Sequence, residues 1–345
     1  MLVKNKKVIY PEITIQRKVP VTFVAGENAA FLKKVHLSLR NVSLFNYTNV
    51  NVTPEGIVFT NFKIDEDLLI YPKHKKIYNK LYLLSSLIKR KKITLPANEN
   101  YLLCFDYWSN GIFHWMCDVL PRIEAIKDIT KNLVLLLPKD FKFEYIHETL
   151  KAFTFKDIYY VSDSTYLNCK NLISPQQITT SGQIRPDNIL NLRQTLLDYF
   201  IPKFTGKFSS CNIYISRNKA KYRKVINEAE LHPVLNKFGF KIIYFEDHSV
   251  CEQIEICYNA NTIVSIHGAN LTNIIFMQPG KNVLEFRKKD DLDNNYFYEL
   301  ADSVNCNYYF INCNYEDKTP GNNTFSLYVD ANTLETTLSH LSSFV

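Results

Sequence analysis

The sequence is poor in glycine and in long apolar runs. Its nine glycines are scattered over 345 residues, and they form neither a P-loop nor the G-x-G-x-x-G turn that a dinucleotide-dependent oxidoreductase needs after a strand. Unbroken apolar runs such as Leu133 to Leu137 are far shorter than the roughly 20 residues that cross a bilayer. These absences exclude P-loop enzymes, argue against oxidoreductases of the dinucleotide type, and leave no candidate for a membrane-spanning helix.

Cysteine motifs and a leader pattern are also missing. The eight cysteines include no C-x-x-C pair, and several lie in apolar runs, so we expect reduced thiols in a protein core rather than disulfides or metal ligands. Residues 1–10 are rich in lysine but contain no apolar stretch, so we expect no secretory signal. We therefore predict a cytoplasmic protein.

The composition is that of a folded protein of about two domains. Hydrophobic residues make up 46% and charged residues 22% of the chain, which is enough apolar material for sizeable cores. We predict an N-terminal domain over 1–205, irregular or β-rich over 1–100 and α/β over 101–205. A C-terminal domain follows over 206–330. Residues 331–345 form a closing helix that we expect to dock on the first domain.

After residue 210, strand-like and helix-like segments alternate regularly. Strands are predicted at 212–215, 241–245, 262–266, 282–286 and 308–311, and helices at 227–238, 249–259, 271–277 and 294–304. Such alternation is typical of right-handed crossovers and a parallel, doubly wound sheet. In these sheets the ligand binds beyond the carboxyl ends of the strands.

Two predicted strand ends carry residues suited to a diphosphate. Gly268 follows one strand, so the backbone there can approach a ligand closely, and a helix starting near Ala269 would aim free N–H groups at an anion. His267 and Thr272 add hydrogen-bond donors. Arg217 and Arg223, after another strand, supply positive charge. We expect these residues to form a nucleotide site.

The net charge of +7 is concentrated in one segment, residues 73–92. Its eight basic residues are Lys73, Lys75, Lys76, Lys80, Lys89, Arg90, Lys91 and Lys92. Between them an apolar stripe of helical period consists of Ile77, Leu81, Leu84 and Ile88. The favoured interpretation is a helix whose stripe packs on the core. The alternative is peripheral contact with an anionic membrane. We expect no nucleic acid partner, because the rest of the chain is nearly neutral.

A third motif lies at Asn110–Arg122. In a helix, His114, Asp118 and Arg122 would share one face at i, i+4 and i+8, whereas Pro121 would kink or end that helix.

These motifs together resemble glycosyltransferase family 61. The sequence His114-Trp115-x-x-Asp118-x-Leu120-Pro121-Arg122 is similar to the first signature of the family. Ser216-Arg217, Arg223 and the block His267-Gly268-Ala269-x-Leu271-Thr272-Asn273 are similar to its second half, as is the strand containing Glu285. The resemblance covers roughly residues 100–312. Asn270 stands where many relatives have a second glycine.

The resemblance implies a GT-B-like α/β fold, with two Rossmann-like domains and a cleft between them. It also implies an inverting transfer of a hexosyl or pentosyl group from a nucleotide sugar, usually UDP-linked, with no metal and no other cofactor. The triplets Asp65–Asp67 and Asp291–Asp293 have the D-x-D spacing of metal-dependent transferases, but both lie in polar, turn-like contexts, and we do not expect a metal site at either.

Inversion requires a base that takes the proton of the acceptor hydroxyl. Asp118 is our candidate, with His114 as its orienting partner or as the alternative base, and Arg122 either holds the carboxylate or contacts the donor phosphates. Glu285 at its strand end is predicted to accept the ribose hydroxyls. The donor-binding set is Ser216, Arg217, Arg223, His267, Gly268, Ala269, Leu271, Thr272, Asn273 and Glu285.

The predicted acceptor is a glycan or glycolipid of a bacterial surface, such as lipopolysaccharide or capsule. The protein would then work in the cytoplasm, with the basic segment at the inner face of the cell membrane. A non-catalytic nucleotide-sugar-binding protein is the alternative, which the set of His114, Asp118 and Arg122 disfavours.

Overall fold

The structure is a computed structural model that describes residues 3–21, 29–69, 72–179, 183–317 and 324–342. The strands are β1 (Val3–Tyr10), β2 (Ile13–Gln16), β3 (His36–Leu39), β4 (Val42–Val52), β5 (Val58–Thr60), β6 (Lys63–Ile64), β7 (Lys91–Thr94), β8 (Tyr101–Leu102), β9 (Val134–Pro138), β10 (Asp157–Val161), β11 (Thr165–Pro175), β12 (Cys211–Ile215), β13 (Phe240–Ile243), β14 (Ala260–Ile266), β15 (Asn282–Lys288), β16 (Asn307–Asp317) and β17 (Phe325–Tyr328).

The α-helices are α1 (Ala29–Val35), α2 (Pro72–Ile77), α3 (Lys80–Lys89), α4 (Ile112–His114), α5 (Leu120–Glu124), α6 (Lys127–Thr130), α7 (Glu144–Leu150), α8 (Pro186–Phe200), α9 (Glu228–Lys237), α10 (Val250–Asn259), α11 (Tyr296–Ser303) and α12 (Ala331–Ser342). A π-helical turn covers Trp115–Val119, and 3₁₀-helices cover Glu66–Leu68, Ile201–Lys203, Phe245–Asp247 and Ala269–Phe276.

The chain divides into two compact units. Unit 1 consists of Met1–Ile13 and Ser38–Leu196, and unit 2 of Thr14–Leu37 and Leu197–Val345. The sequence placed the boundary at 205/206 and kept all earlier residues together. In the structure the boundary falls inside the continuous helix α8. The sequence pattern of that helix is unbroken, so it does not mark the boundary between the units.

Unit 1 contains a mixed sheet. Its strand order is β10-β9-β8-β11-β4-β5-β6, with β1 beside β4 and β7 beside β11. The pairs among β7 to β11 are parallel, whereas β4 runs antiparallel to β1, β5 and β11. The side chains of β9 are buried throughout, as expected for a parallel strand in the middle of a sheet.

Unit 2 contains a sheet of order β13-β12-β14-β15-β16-β17, parallel apart from β17. Ile215 pairs with Ser265, and Ser265 with Glu285, so the carboxyl ends of β12, β14 and β15 lie at one edge. The helices begin with local signals: Ser249 and Glu252 form a capping box at α10. The predicted α/β class is confirmed, and strands and helices alternate through unit 2 as predicted.

The helix α12 packs within unit 2. Its Leu334, Leu338 and Leu341 belong to the same buried cluster as Tyr214 and Phe286. The apolar face of α12, which we expected to dock on the first domain, is thus buried in the core of unit 2. Residues 343–345 of the predicted closing segment lie outside the described residues.

The structure describes all eight cysteines; none of them is in a disulfide, and six are buried. Within the described ranges, none of the helices is both long enough and apolar enough to cross a bilayer.

Candidate active site

The helix carrying the first motif changes its winding inside the motif. α4 continues into a π-helical turn over Trp115–Val119, closed by a bond from the Leu120 amide to the Trp115 carbonyl, and then into α5. Pro121, at the start of α5, has no N–H to donate. Of the three side chains predicted to share a face, His114 and Asp118 contact each other, whereas the hydrogen bonds of Arg122 go to the chain after β8 and to the end of β11. Single π turns of this kind are frequent at functional sites.

His114 and Asp118 form a close pair. The His114 Nδ1 lies 2.6 Å from the Asp118 Oδ2. The His114 side chain is 27% exposed, whereas that of Asp118 is 5% exposed. Because Nδ1 faces the carboxylate, Nε2 is the ring nitrogen that can exchange a proton with a substrate.

The two groups shift each other's protonation. Burial raises the pKa of Asp118 to about 6, although the hydrogen bond from His114 opposes that shift. Burial lowers the pKa of His114, but the hydrogen bond and negative charge of Asp118 outweigh it, so the pKa of His114 is raised overall. The Asp118 Oδ1 is buried without a hydrogen-bond partner in the described structure. A carboxylate enclosed in this way is suited to orienting the imidazole rather than to touching a substrate.

Aromatic side chains hold the pair in place. The Trp115 indole donates to the Thr149 Oγ1 at 2.8 Å, which ties the π turn to α7. The rings of Trp108 and Phe113 lie 5.5 and 5.6 Å from that of His114. The imidazole is therefore packed against aromatic side chains and keeps a fixed orientation.

Arg122 makes its hydrogen bonds to the protein chain rather than to the Asp118 carboxylate. Its guanidinium donates to the carbonyls of Cys104, Leu103 and Pro175 and to the Ser174 Oγ, at 2.7 to 3.2 Å. A buried guanidinium needs acceptors for its five N–H groups, and here they come from the chain that follows β8 and the end of β11. Arg122 joins these segments and has little capacity left for a phosphate.

The second group of residues lies at the strand ends of unit 2, where Arg217 approaches Gly268. A Cβ on Gly268 would lie 3.1 Å from the Arg217 Nη1. The backbone of Gly268 is extended, so glycine is favoured here by the close guanidinium rather than by its dihedral angles. Arg217 donates from Nε to the Arg223 carbonyl at 3.2 Å, which brings the two arginines of the prediction together.

Arg217 and Arg223 lie close enough for their positive charges to repel each other. Burial lowers the pKa of Arg217, with Glu246 acting in the opposite direction. Burial and the charge of Arg217 lower the pKa of Arg223 to about 10, so both remain charged at neutral pH. In the part of the chain that the structure describes, neither makes an ion pair within 4 Å of a carboxylate. A bound anion would relieve this repulsion.

His267 belongs to a buried chain of polar groups. Its Nδ1 lies 2.5 Å from the Glu285 Oε1, and the Tyr308 hydroxyl donates to the Glu285 Oε2 at 2.6 Å. Glu285 is fully buried, and both its oxygens are occupied. The predicted role as acceptor of ribose hydroxyls does not fit this geometry. Glu285 positions His267 instead, and β16 supplies the second partner.

Ser216 likewise faces inward. Its Oγ donates to Glu228 at 2.7 Å and accepts from the Asn218 amide. Glu228 also accepts from the Tyr214 hydroxyl at 2.8 Å and the Asn218 side chain at 2.7 Å. These contacts hold the loop after β12 against the start of α9 and thereby orient Arg217. The Ser216 hydroxyl itself faces Glu228 and not a ligand.

The segment after Gly268 begins where predicted but is a 3₁₀-helix rather than an α-helix. Leu271 and Thr272 are fully buried, and the Thr272 Oγ1 has no hydrogen-bond partner among the described residues. Ala269 is partly exposed, and Asn273 contacts Gln253 at 3.4 Å.

Sequence reasoning missed three contributors. Glu228 was not predicted to be a site residue, although its acidic position at the start of α9 was a usable signal. Tyr308 lies in a strand and Trp108 in a turn, where no local pattern distinguishes them from core residues. Their contacts with Glu285 and His114 depend on tertiary structure.

The two acidic triplets have other partners. Asp65 and Asp67 both bind Lys4, and Asp291 accepts from the Asn294 amide and side chain. Across the described ranges, no group of three or more His, Cys, Asp or Glu side chains is arranged to hold a metal ion.

Comparison with known proteins identifies a family whose matched region contains both the His114–Asp118 pair and the Arg217–Gly268 contact. The model of the family Glycosyltransferase 61 matches residues 112–284, half of the chain, a range that starts just before His114 and includes the arginine pair and Gly268. The chain therefore belongs to the glycosyltransferase 61 family.

One curated relative shows a more distant similarity. The chain is 25% identical over 165 residues to the EGF domain-specific O-linked N-acetylglucosamine transferase of Drosophila melanogaster. The match covers 42% of this chain and 31% of the relative, so this chain matches about a third of the relative's length.

Proposed function

We propose that the protein transfers a sugar from a UDP-linked donor to a hydroxyl group of a glycan or glycolipid, with inversion and without a metal ion. The observation that carries this proposal is the Arg217 guanidinium beside Gly268, with Arg223 near enough for the two positive charges to interact. A guanidinium at a close-approach glycine, together with a second positive charge, is suited to a diphosphate. Unit 2 would bind the donor and unit 1 the acceptor, the division of labour of a GT-B enzyme.

The chemistry then follows from the first motif. The acceptor oxygen attacks the anomeric carbon and its proton passes to the His114 Nε2, while the bond from that carbon to the diphosphate breaks. Asp118 holds Nδ1 and stabilises the imidazolium that forms. The geometry favours His114 over Asp118 as the base, because His114 is the exposed member of the pair. The two arginines neutralise the departing nucleoside diphosphate.

The first donor to test is UDP-N-acetylglucosamine. The Drosophila relative is an N-acetylglucosamine transferase by name. Because the match covers about a third of that protein, the sugar and the acceptor of this chain are to be identified by experiment. The surface glycan, the cytoplasmic location and the membrane contact through 73–92 stay predictions. A purely nucleotide-sugar-binding role is disfavoured by the family and by the His114–Asp118 pair.

Nucleotide binding tests the proposal. Thermal shifts with UDP, GDP, CMP and NAD, each with and without EDTA, should show stabilisation by UDP that survives EDTA. A ligand at 100 times its Kd adds about 2.7 kcal/mol to the native state. The double variant Arg217→Gln/Arg223→Gln should lose the shift, whereas Lys221→Gln, an exposed cation on the same loop, should keep it.

Each other outcome has a definite meaning. A shift with GDP or CMP alone would replace the donor but keep the class. A UDP shift that disappears in EDTA would contradict the metal-independent mechanism. An unchanged shift in the arginine variant would overturn the assignment of the diphosphate site.

A further inference from the structure

The basic segment does not pack as the sequence suggested. The four apolar residues of the stripe, Ile77, Leu81, Leu84 and Ile88, are 49, 76, 39 and 84% exposed. The face of α3 that packs inward carries Leu83 and Ser86 instead. The favoured interpretation of the sequence, in which the stripe covers the core, is therefore wrong.

The inward side is fixed by polar contacts as well as by packing. Tyr78 packs with Ile57 and Leu69, with Tyr82 against them. Arg90 and the Tyr82 hydroxyl both bind Glu55. Arg90 is thus committed to the fold, and α3 cannot turn its apolar stripe inward without breaking this arrangement.

The exposed stripe is bordered by cations. Lys76, Lys80, Lys89, Lys91 and Lys92 are exposed, and none makes an ion pair with a described residue. Lys75 is also exposed but binds Glu66 at 3.2 Å. The side chain of Lys73 lies outside the described residues. No acidic residue occurs between Leu68 and Asn98, so within this segment the charges are all positive, and Glu66 is the adjoining carboxylate.

A groove beside the stripe extends the same character. It is lined by Phe62, Lys63, Lys75 and Lys80 and by Glu66, the carboxylate that binds Lys75, and the Phe62 side chain is 47% exposed. An aromatic side chain and further lysines thus adjoin the helix. The groove opens to solvent and is large enough for a small anionic group.

We propose that α2, α3 and β7 form a docking surface for an anionic lipid bilayer. Exposed leucine and isoleucine flanked by lysine is the composition of helices that lie in a membrane interface. Lysine stems reach over apolar surface while the charge stays among the headgroups. Protein interfaces instead deplete lysine and enrich arginine and aromatics at their centre, and the arginine present here already binds Glu55. A bilayer is therefore the partner that the charge and apolar pattern fit best.

The proposal is independent of the sugar chemistry, because binding to vesicles needs no donor or acceptor. The full chain is sedimented with vesicles of phosphatidylcholine alone or with about 30% phosphatidylglycerol. We expect binding to the anionic vesicles only, released by about 0.5 M NaCl because the lysine contribution is screened.

Two variants separate charge from apolar contact. Lys89→Gln/Lys91→Gln/Lys92→Gln removes three cations, and Leu84→Ser/Ile88→Ser removes part of the stripe. Each should lower the partition coefficient, the second by roughly 100-fold, as expected when two large apolar side chains no longer leave water. The matched control Lys131→Gln/Lys139→Gln/Lys142→Gln changes the same charge at exposed sites of the same unit and should bind as the wild type does.

Several results would overturn the proposal. They are absence of wild-type binding, equal binding to neutral vesicles, or an equal loss in the control variant. A wild-type dimer that Leu84→Ser/Ile88→Ser converts to a monomer would assign the stripe to a second copy of the chain instead. Far-UV circular dichroism and Tm establish that each variant is folded.

Discussion

Two histidine–carboxylate pairs of almost equal length differ in their exposure and in their hydrogen-bond partners. In unit 1, His114 lies 2.6 Å from Asp118, and in unit 2, His267 lies 2.5 Å from Glu285. His114 is partly exposed and the Asp118 Oδ1 lacks a partner among the described residues. By contrast, His267 is 7% exposed and both oxygens of Glu285 are bonded. Exposure of the imidazole, rather than the length of the hydrogen bond, is therefore the basis on which we propose that His114 acts in the reaction and that His267 supports the fold.

The largest effect should come from removing the accessible imidazole. His114→Ala should lower kcat roughly 10²- to 10⁴-fold, the usual contribution of general acid–base catalysis, and leave UDP affinity unchanged. Single-turnover transfer and calorimetric titration measure the two quantities. His147→Ala, in α7 of the same unit, is the control and should retain activity. If His114→Ala kept more than a tenth of the rate, His114 would not be the base.

The His267–Glu285 pair should show its effect in stability. Glu285→Gln leaves either His267 or Tyr308 with an unsuitable partner in a buried site, which costs about 1–3 kcal/mol of unfolding free energy. Asp118→Asn keeps an acceptor for His114 Nδ1 and removes a charge whose burial is unfavourable, so it should change stability by less. Urea unfolding of both variants makes the comparison. A larger loss in Asp118→Asn would reverse the assignment of the two pairs.

The smallest effect is expected at Gly268. A methyl group there would meet the Arg217 Nη1 at 3.1 Å, and the guanidinium must move by a few tenths of an ångström. Gly268→Ala should weaken UDP binding by up to about 10-fold, a cost of about 1.4 kcal/mol. Its Tm should be near that of the wild type, since the backbone there is extended and accepts any residue. Calorimetric titration with UDP checks this, and an unchanged Kd would mean that the position of Arg217 is not critical.

The two units also differ in how well their sequence predicted their structure. In unit 2, buried strands and amphipathic helices alternate, and α10 begins with a capping box, so β12 to β16 and α9 to α11 lie close to their predicted places. In unit 1, β4 and β11 are long strands whose partners are distant in sequence, and local periodicity carries no information about such pairing. The prediction that the apolar stripe of α3 packs on the core was wrong for a related reason. The tertiary contacts of Glu55 decide which face of the helix turns inward.

The site was predictable to a similar extent. The sequence identified the residues that meet at His114 and at Arg217, since their spacing and strand-end positions are local properties. It could not show that Arg122, Ser216 and Glu285 point into the protein, because their partners at Cys104, Glu228 and Tyr308 come from other elements. A buried guanidinium or carboxylate and a ligand-binding one have the same local sequence.

The pH dependence of kcat/KM tests most directly whether the His114–Asp118 pair, rather than the His267–Glu285 pair, supplies the base. Its acidic limb reports the base of the free enzyme. Asp118 raises the pKa of His114 above its ordinary value of 6.5 against the effect of burial, so the wild-type limb should lie above pH 6.5. In Asp118→Asn, burial acts without the opposing carboxylate, and the limb should move to lower pH, while in Glu285→Gln it should stay in place. A limb that stays in place in Asp118→Asn, or that moves in Glu285→Gln, would contradict the assignment of His114 as the base.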